Sequence, residues 1–325
     1  MKVGILGATG AVGKEMLKVM EEKNLPIDEL RLFASSRSAG KVMKFHDRDI
    51  VIEVADETSF DGLDVVLGAV ENERSKMYAP MIQKAKVVYI DNSSAFRLDP
   101  DVPLVVPQIN PEALKQHQGI IANPNCVTII GLMACAPVHQ VNPIKRIIAS
   151  SYQAVSGAGA AGMDELLKQM DDLHEGKQPA ANVFSHQIAY NLIPQIGGFD
   201  EAGFTSEEMK FQNESRKILN DQELKVSCTC VRVPVLRSHS ISMNIELSEE
   251  MSVEQAKALI NAFEGVKVSE TYPTPMETSN QDIVYVGRIR KDLTCEKGLA
   301  LWCCGDQIRK GAASNAIEIM ELLMK

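Results

Sequence analysis

The chain has 325 residues, of which 45% are hydrophobic, 24% charged and only 5% aromatic, a composition typical of a folded globular protein. Its length allows one large domain or two of ordinary size, and we expect two. The formal net charge of −9 argues against nucleic acid or an anionic membrane as the main partner. No run approaches ~18 apolar residues and no signal-peptide core is visible, so we expect a cytoplasmic protein without a membrane span.

The seven cysteines are odd in number and form no C-x-x-C pair, which does not indicate a disulfide framework or a metal site. We expect buried thiols. Cys126 stands out because it lies between a Pro-Asn step and a β-branched apolar run, in "NPNCVTII". By itself it is best interpreted as a small buried hydrophobe. A chemical role requires partners elsewhere in the chain.

The first third of the chain alternates strands and helices. An apolar strand at residues 2–8 is followed by a glycine turn and by apolar residues at helical spacing. Further strands are predicted at 30–35, 49–55, 64–70 and 86–93. This alternation predicts an α/β fold, with a Rossmann-type, doubly wound, mostly parallel sheet in a domain formed by residues 1–126.

After residue 127 the pattern changes to helices followed by adjacent strands. Thr205 and Glu208 have the spacing of a capping box at the start of one helix. Strands are predicted at 144–155, 224–233, 239–247 and 283–290. Residues 127–306 are therefore expected to form an α+β domain with a mixed or antiparallel sheet. A C-terminal helical segment, 307–325, would complete the first domain.

The glycine turn after the first strand is a candidate phosphate site. Gly7, Gly10 and Gly13 separate a strand from a helix, where free backbone N–H groups and the helix dipole both attract an anion. The second strand ends near Arg37 rather than near an acidic residue, which favours the 2′-phosphate of NADP. A solvated loop arginine is the alternative interpretation of Arg37.

Two side chains could serve the cysteine. His239 begins the apolar face of a predicted strand, and could be a hydrogen-bonded core residue or a general acid and base. Arg232 lies within an apolar strand, where burial of a guanidinium requires an anion. An internal ion pair and an anionic substrate both satisfy that requirement.

Other polar residues are ambiguous singly. Gln153 and Ser156 end a strand before a glycine-rich turn, which is either a flexible turn or a place where a ligand approaches the backbone. Glu207 and Lys210 are spaced i,i+3 on the capped helix, as in a solvated surface pair. Arg97 gives no clear indication by itself.

Together these motifs resemble those of the aspartate-β-semialdehyde dehydrogenases over nearly the whole chain. The matching segments, in order, are "GATGAVG", "SRSAGK", "DNSSAFRLDPDVPLVVPQIN", "NPNCVT", "SYQAVSGAG", "EEMK", "RVPVLRSHS", "VGRIRKD" and "GDQIRKGAA". The resemblance implies reversible NADPH-dependent reduction of L-aspartyl 4-phosphate to L-aspartate 4-semialdehyde and phosphate, through a cysteine thioester. That reaction leads to diaminopimelate and lysine, and to threonine and methionine. The family is homodimeric or tetrameric.

The resemblance also implies roles for individual residues. Cys126 would be the nucleophile, Gln153 would orient substrate and thiol, and His239 would be the acid and base. Substrate and phosphate would be bound by Arg97, Asn125, Glu207, Lys210 and Arg232. The cofactor would contact Gly7, Thr9, Gly10, Ala11, Val12, Arg37, Ser38, Ser156, Gly157 and Gln307.

Two departures from the family pattern and two rival functions are open. Val127 replaces the usual serine or threonine after the nucleophile, and residues 70–76 lack the usual glycine and serine near the cofactor. One rival is an N-acetylglutamyl-phosphate reductase, for which an amine site at Glu207 would have no purpose. The other is a nucleotide-binding paralogue without activity, which would have no reason to keep the candidate catalytic side chains.

Overall fold

The computed structural model describes residues 1–324, which form two compact units. The first contains residues 1–125 and 312–324, and the second contains residues 126–311. The sequence pattern predicts Cys126 and residues 307–311 in the first domain, whereas the structure places them in the second unit. Close packing accounts for this placement, because a Cβ on Gly311 would lie 2.9 Å from the Cβ of Cys126.

The first unit is built on a seven-stranded sheet. Its strands are β1 (Lys2–Leu6), β2 (Glu29–Phe33), β3 (Val42–Phe45), β4 (Arg48–Glu53), β5 (Val65–Gly68), β6 (Val88–Asp91) and β7 (Ile120–Ala122). They lie in the order β3-β4-β2-β1-β5-β6-β7, parallel throughout except for β3, which is antiparallel to β4. The predicted doubly wound sheet is confirmed. Edge strand β3 was missed because it has only one fully buried side chain and so no apolar face.

Helices cover the first unit's sheet. They are α1 (Ala11–Glu22), α2 (Asn72–Lys84) and the C-terminal α8 (Ser314–Leu323). Met16 and Met20 of α1 share one core cluster with Ile317 and Met320 of α8. The C-terminal helix therefore contributes to the hydrophobic core of the first unit, although most of that unit is formed by residues 1–125.

The second unit contains a six-stranded mixed sheet. Its strands are β8 (Ile144–Gln153), β9 (Lys225–Arg232), β10 (His239–Leu247), β11 (Val266–Val268), β12 (Val284–Lys291) and β13 (Gly298–Gly305). The order is β11-β12-β13-β10-β8-β9, with parallel pairs only at the two edges. The expected α+β domain with a mixed sheet is confirmed.

Five helices accompany this sheet. They are α3 (Cys126–His139), α4 (Gly159–His174), α5 (Ser206–Ile218), α6 (Val253–Ala262) and α7 (Pro275–Thr278). Every residue of α3 from Val127 to Val138 is buried, as expected of a helix that is apolar on all sides. The capping box of α5 is confirmed, since Thr205 and Glu208 bond each other's backbone N–H groups. No helix within residues 1–324 is long and apolar enough to cross a membrane.

Candidate active site

Three candidate side chains meet at one end of the second unit's sheet because of strand direction. Gln153 ends β8 and pairs in register with Arg232 at the end of the parallel strand β9. His239 begins β10, which runs antiparallel to β8. All three side chains are buried, at 1%, 6% and 0% exposure respectively. The strand ends therefore gather an amide, a guanidinium and an imidazole that are distant in sequence.

Cys126 is the first residue of α3 and is partly exposed. The N-terminal end of a helix stabilises negative charge, so this position favours a thiolate. The next residue, Val127, is fully buried. The side chain that departs from the family pattern therefore packs in the core.

Arg232 is a buried cation that forms few hydrogen bonds to the protein. Among the described residues its guanidinium makes one hydrogen bond, 2.7 Å to the Ala154 carbonyl, and no ion pair. Burial lowers the pKa of Arg232, and the negative charges of Glu207 and Cys126 oppose that shift. The internal ion pair considered from sequence is not formed. An anionic ligand would satisfy the remaining N–H donors.

His239 is held in one tautomer by the backbone. The Ala154 N–H donates a 3.0 Å hydrogen bond to Nδ1, so the proton of the neutral ring is on Nε2. Within residues 1–324, Nε2 has no hydrogen-bond partner although it is buried. Burial first, and then the charge of Arg232, lower the pKa of His239 to about 3. Nε2 is therefore available to a ligand as a donor.

Gly157 allows these groups to come close together. A Cβ on Gly157 would lie 2.6 Å from Nη1 of Arg232 and 3.5 Å from Cε1 of His239. Any side chain would displace the guanidinium. The family resemblance implies that Gly157 contacts the cofactor. In the structure it lies against Arg232, the candidate substrate-binding side chain, and His239, the candidate acid and base.

A chain of hydrogen bonds connects the strand-end amide to α5. Nε2 of Gln153 donates to Oε1 of Glu207 at 3.2 Å, and Nζ of Lys210 lies 3.1 Å from Oε2 of Glu207. The Glu207 side chain is only 9% exposed. The surface pair considered from sequence is thus partly buried, and its carboxylate is shared with Gln153. Ser151 donates to Oε1 of Gln153 and completes the orientation of the amide.

Ser156 and Gln307 are brought together in the second unit. Nε2 of Gln307 donates to Oγ of Ser156, and Oε1 of Gln307 accepts a 2.8 Å bond from the Ser238 N–H. Sequence reasoning missed Asp306, whose buried carboxylate binds Arg237 and the N–H groups of the loop that carries Gln307. The only sequence signal was an acidic residue in a glycine-flanked turn.

The first unit contains the glycine turn as expected of a dinucleotide site. Gly7 has a φ of +82°, and a Cβ there would lie 2.2 Å from the Ala69 carbonyl oxygen. A Cβ on Gly13 would lie 2.4 Å from the Gly7 carbonyl oxygen. Gly10 caps α1 without a side-chain hydrogen bond, so the first-turn N–H groups of Ala11 and Val12 can bind an anion. These residues fit a dinucleotide phosphate.

Other first-unit candidates lie around the same sheet. Thr9 lies in the glycine turn, while Arg37 is exposed and Ser38 half-buried in the turn after β2. An exposed guanidinium at this point suits a 2′-phosphate. In the 70–76 segment, Asn72 bonds Ser94 through Nδ2 to Oγ at 2.9 Å, in a loop where the family pattern has other residues.

Arg97 is positioned by an asparagine ladder that sequence reasoning missed. Its Nε donates 2.9 Å to the Asn123 carbonyl, and Nη2 donates 2.7 Å to the Asn92 carbonyl. The side chains of Asn92, Asn123 and Asn315 are themselves hydrogen-bonded in a row. Asn125, beside the cysteine in sequence, is buried. Nothing in the spacing of these asparagines along the chain indicated the ladder.

Family models match both units of the chain. Residues 2–117 match the family model described as semialdehyde dehydrogenase, NAD binding domain, and residues 135–310 match semialdehyde dehydrogenase, dimerisation domain. An aspartate-semialdehyde dehydrogenase of Synechocystis sp. is 49% identical over 330 residues, covering 100% of this chain and 98% of that protein. The chain belongs to the aspartate-semialdehyde dehydrogenase family.

A second relative and a solved structure extend the comparison. An Aquifex aeolicus member is 49% identical over 333 residues, covering 100% of this chain and 98% of that protein. The crystal structure of aspartate semialdehyde dehydrogenase II from Vibrio cholerae, complexed with ASA, has a TM-score of 0.97 and 42% identity. It covers 99% of this chain and 98% of that one. The family resemblance noted in the sequence is therefore confirmed.

Proposed function

We propose that this chain catalyses the reversible, NADPH-dependent reduction of L-aspartyl 4-phosphate to L-aspartate 4-semialdehyde and inorganic phosphate. The observation that carries the proposal is the buried Arg232 guanidinium, which has one protein hydrogen bond and no ion pair within the described residues. An α-carboxylate would satisfy its N–H donors bidentately. The Glu207 carboxylate is close enough for its charge to act on Arg232, and we assign it as the anionic partner of the α-amino group.

The acyl transfer uses the thiol at the start of α3. The Cys126 thiolate attacks the acyl carbon, the bond to the phosphate oxygen breaks, and phosphate leaves with the bonding electrons. The helix N-terminus stabilises the thiolate before attack. We assign the leaving phosphate to Arg97 and Lys210, and substrate contact to Asn125. The product of this step is a thioester on Cys126.

NADPH, when bound, supplies the hydride that reduces the thioester carbon. We propose that it is held by Gly7, Gly10 and the first-turn N–H groups of α1, with Arg37 and Ser38 at the 2′-phosphate. Gln153 is oriented by Ser151 and Glu207, which suits it to hold the thioester region. We assign the proton transfer at collapse of the tetrahedral species to Nε2 of His239.

We also propose a homodimer that forms through the exposed face of the second unit's sheet. The tilted rings of Tyr152 of β8 and Trp302 of β13 lie there with centroids 5.6 Å apart, and Ile148 of β8 is 46% exposed. Aromatic and aliphatic side chains on an open sheet face are typical of subunit interfaces. The segment also belongs to the part of the chain that matches a dimerisation domain. A cytoplasmic location would keep the Cys126 thiol reduced.

One assay tests the proposed reaction against its rivals. Phosphate-dependent reduction of NADP is measured with L-aspartate semialdehyde and with N-acetylglutamate semialdehyde. We expect turnover with the first only, and loss of turnover but retention of NADPH binding in the Cys126→Ala variant. Turnover of the acetylated aldehyde alone would establish the reductase alternative, and no rate with either would favour a nucleotide-binding paralogue.

A further inference from the structure

The segment that covers Arg232 is held by a buried carboxylate on α4. Glu165 is 8% exposed, and its Oε2 accepts hydrogen bonds from the N–H groups of Asn182 at 2.7 Å and Val183 at 2.6 Å. Its Oε1 accepts a third, at 3.2 Å, from the N–H of Phe184. Three consecutive backbone donors thus converge on one side chain. Hydrogen bonds to a charged acceptor are about twice as strong as neutral ones.

Gln169, one helical turn after Glu165, holds the other side of the same segment. Its Oε1 accepts from the N–H groups of Ile188 and Ala189 at 2.9 and 3.0 Å, and its Nε2 donates to the Ala180 carbonyl at 2.8 Å. The side chain is 1% exposed. Two buried polar side chains on one face of α4 therefore fix the backbone on both sides of residues 185–187.

The fixed segment forms a wall of the cavity that contains Arg232. Val183, Phe184 and Ser185 line this cavity of about 240 Å³ together with the guanidinium. The ring centroid of Phe184 lies 5.8 Å from Cζ of Arg232, within the range of a cation–π interaction. Beside the hydrogen bond to the Ala154 carbonyl, this ring is a second contact that can orient the guanidinium.

We propose that Glu165 is a positioning residue for the substrate carboxylate, acting through Phe184 on Arg232. The inference rests on the proposed function in that Arg232 is taken to bind the α-carboxylate. Glu165 sets the backbone at residues 182–184, the backbone sets the Phe184 ring, and the ring keeps the guanidinium turned towards the cavity. No chemical step is assigned to Glu165.

The test compares Glu165→Gln with Asp164→Asn, a matched loss of one carboxylate at an exposed neighbouring position of α4. We expect the KM for L-aspartate semialdehyde to rise about three- to tenfold in Glu165→Gln, the size of one cation–π contact. The value of kcat should change little, and Asp164→Asn should match the parent. Phe184→Leu should reproduce the KM increase, and adding Glu165→Gln to it should have no further effect on KM.

Amide hydrogen exchange supplies a measurement that does not depend on turnover. We expect faster exchange at residues 182–184 in Glu165→Gln, and parent-like exchange in Asp164→Asn and Phe184→Leu. An unchanged KM, unchanged exchange, or a full additional KM increase in the double variant would overturn the proposal. Absence of turnover in the parent protein would instead contradict the proposed function, and the exchange data would still decide whether Glu165 holds the segment.

Discussion

Replacing Arg232 by leucine should lower the catalytic activity while leaving the thermal stability unchanged or higher. The guanidinium is 6% exposed, makes one hydrogen bond to the Ala154 carbonyl and forms no ion pair among the described residues. In the ligand-free protein its burial is therefore poorly compensated, and an apolar side chain avoids the cost of burying a charge. We expect the melting temperature of Arg232→Leu to equal or exceed that of the parent.

Substrate recognition should suffer strongly in the same variant. Removing one partner of a buried, hydrogen-bonded charge pair costs about 2–5 kcal/mol, because the other charge is left without a partner. Since each ~1.4 kcal/mol is a factor of ten, kcat/KM for L-aspartate semialdehyde should fall by at least about thirtyfold. The decrease should appear mainly in KM, because the carboxylate is remote from the reacting carbon.

The assay is steady-state NADP reduction in phosphate, paired with thermal unfolding of the same preparations. Arg232→Lys serves as the control that keeps the positive charge but loses the planar pair of N–H donors. Its kcat/KM should lie between those of the parent and of the leucine variant. A lower melting temperature together with an unchanged KM would refute the reasoning, because it would show that Arg232 is a structural cation.

Three further expectations concern pH, cofactor and assembly. Burial lowers the pKa of His239 from 6.5 to about 3. Between these two pH values the imidazole is protonated in the unfolded chain but not in the folded protein, so the free energy of unfolding should fall as the pH drops below 6.5, as measured by denaturant unfolding at a series of pH values. His239→Asn should lessen that fall; an equal fall would contradict the assignment. Arg37→Ser should raise the KM for NADPH about tenfold and leave that for NADH unchanged, with Lys41→Ser as control. Ile148→Glu should give monomers in analytical ultracentrifugation, whereas Val51→Glu should not; a dimer in both would place the interface elsewhere.

Much of the fold was predictable because its signals are local. The strand–glycine–helix start, the capping box at Thr205 and the apolar alternation from His239 onward each depend on neighbouring residues. Strand β3 was missed because an exposed edge strand has little apolar periodicity. The terminal segment was divided at residue 307 rather than 312 because the contact of Gly311 with Cys126 joins residues far apart in the chain.

The site was predictable only as a set of residue types. Arg232 could be an internal ion pair or a ligand site until the structure showed one carbonyl partner and a ring above it. Glu207 and Lys210 have the spacing of a surface pair, yet Glu207 is buried and bonded to Gln153. Glu165 had no signal at all, because its partners are backbone N–H groups whose positions depend on the loop.

The sequence by itself indicated most of the long helices and strands, the candidate nucleophile Cys126 and the family, because helical and strand periods and motif order are properties of adjacent residues. The tertiary structure decided which polar groups meet, because strand order and register bring Gln153, Arg232 and His239 to one end of a sheet. It also decided the tautomer of His239, since that depends on one backbone N–H, from Ala154. Whether a buried charge is already neutralised depends on contacts between distant segments, and only the folded chain contains them.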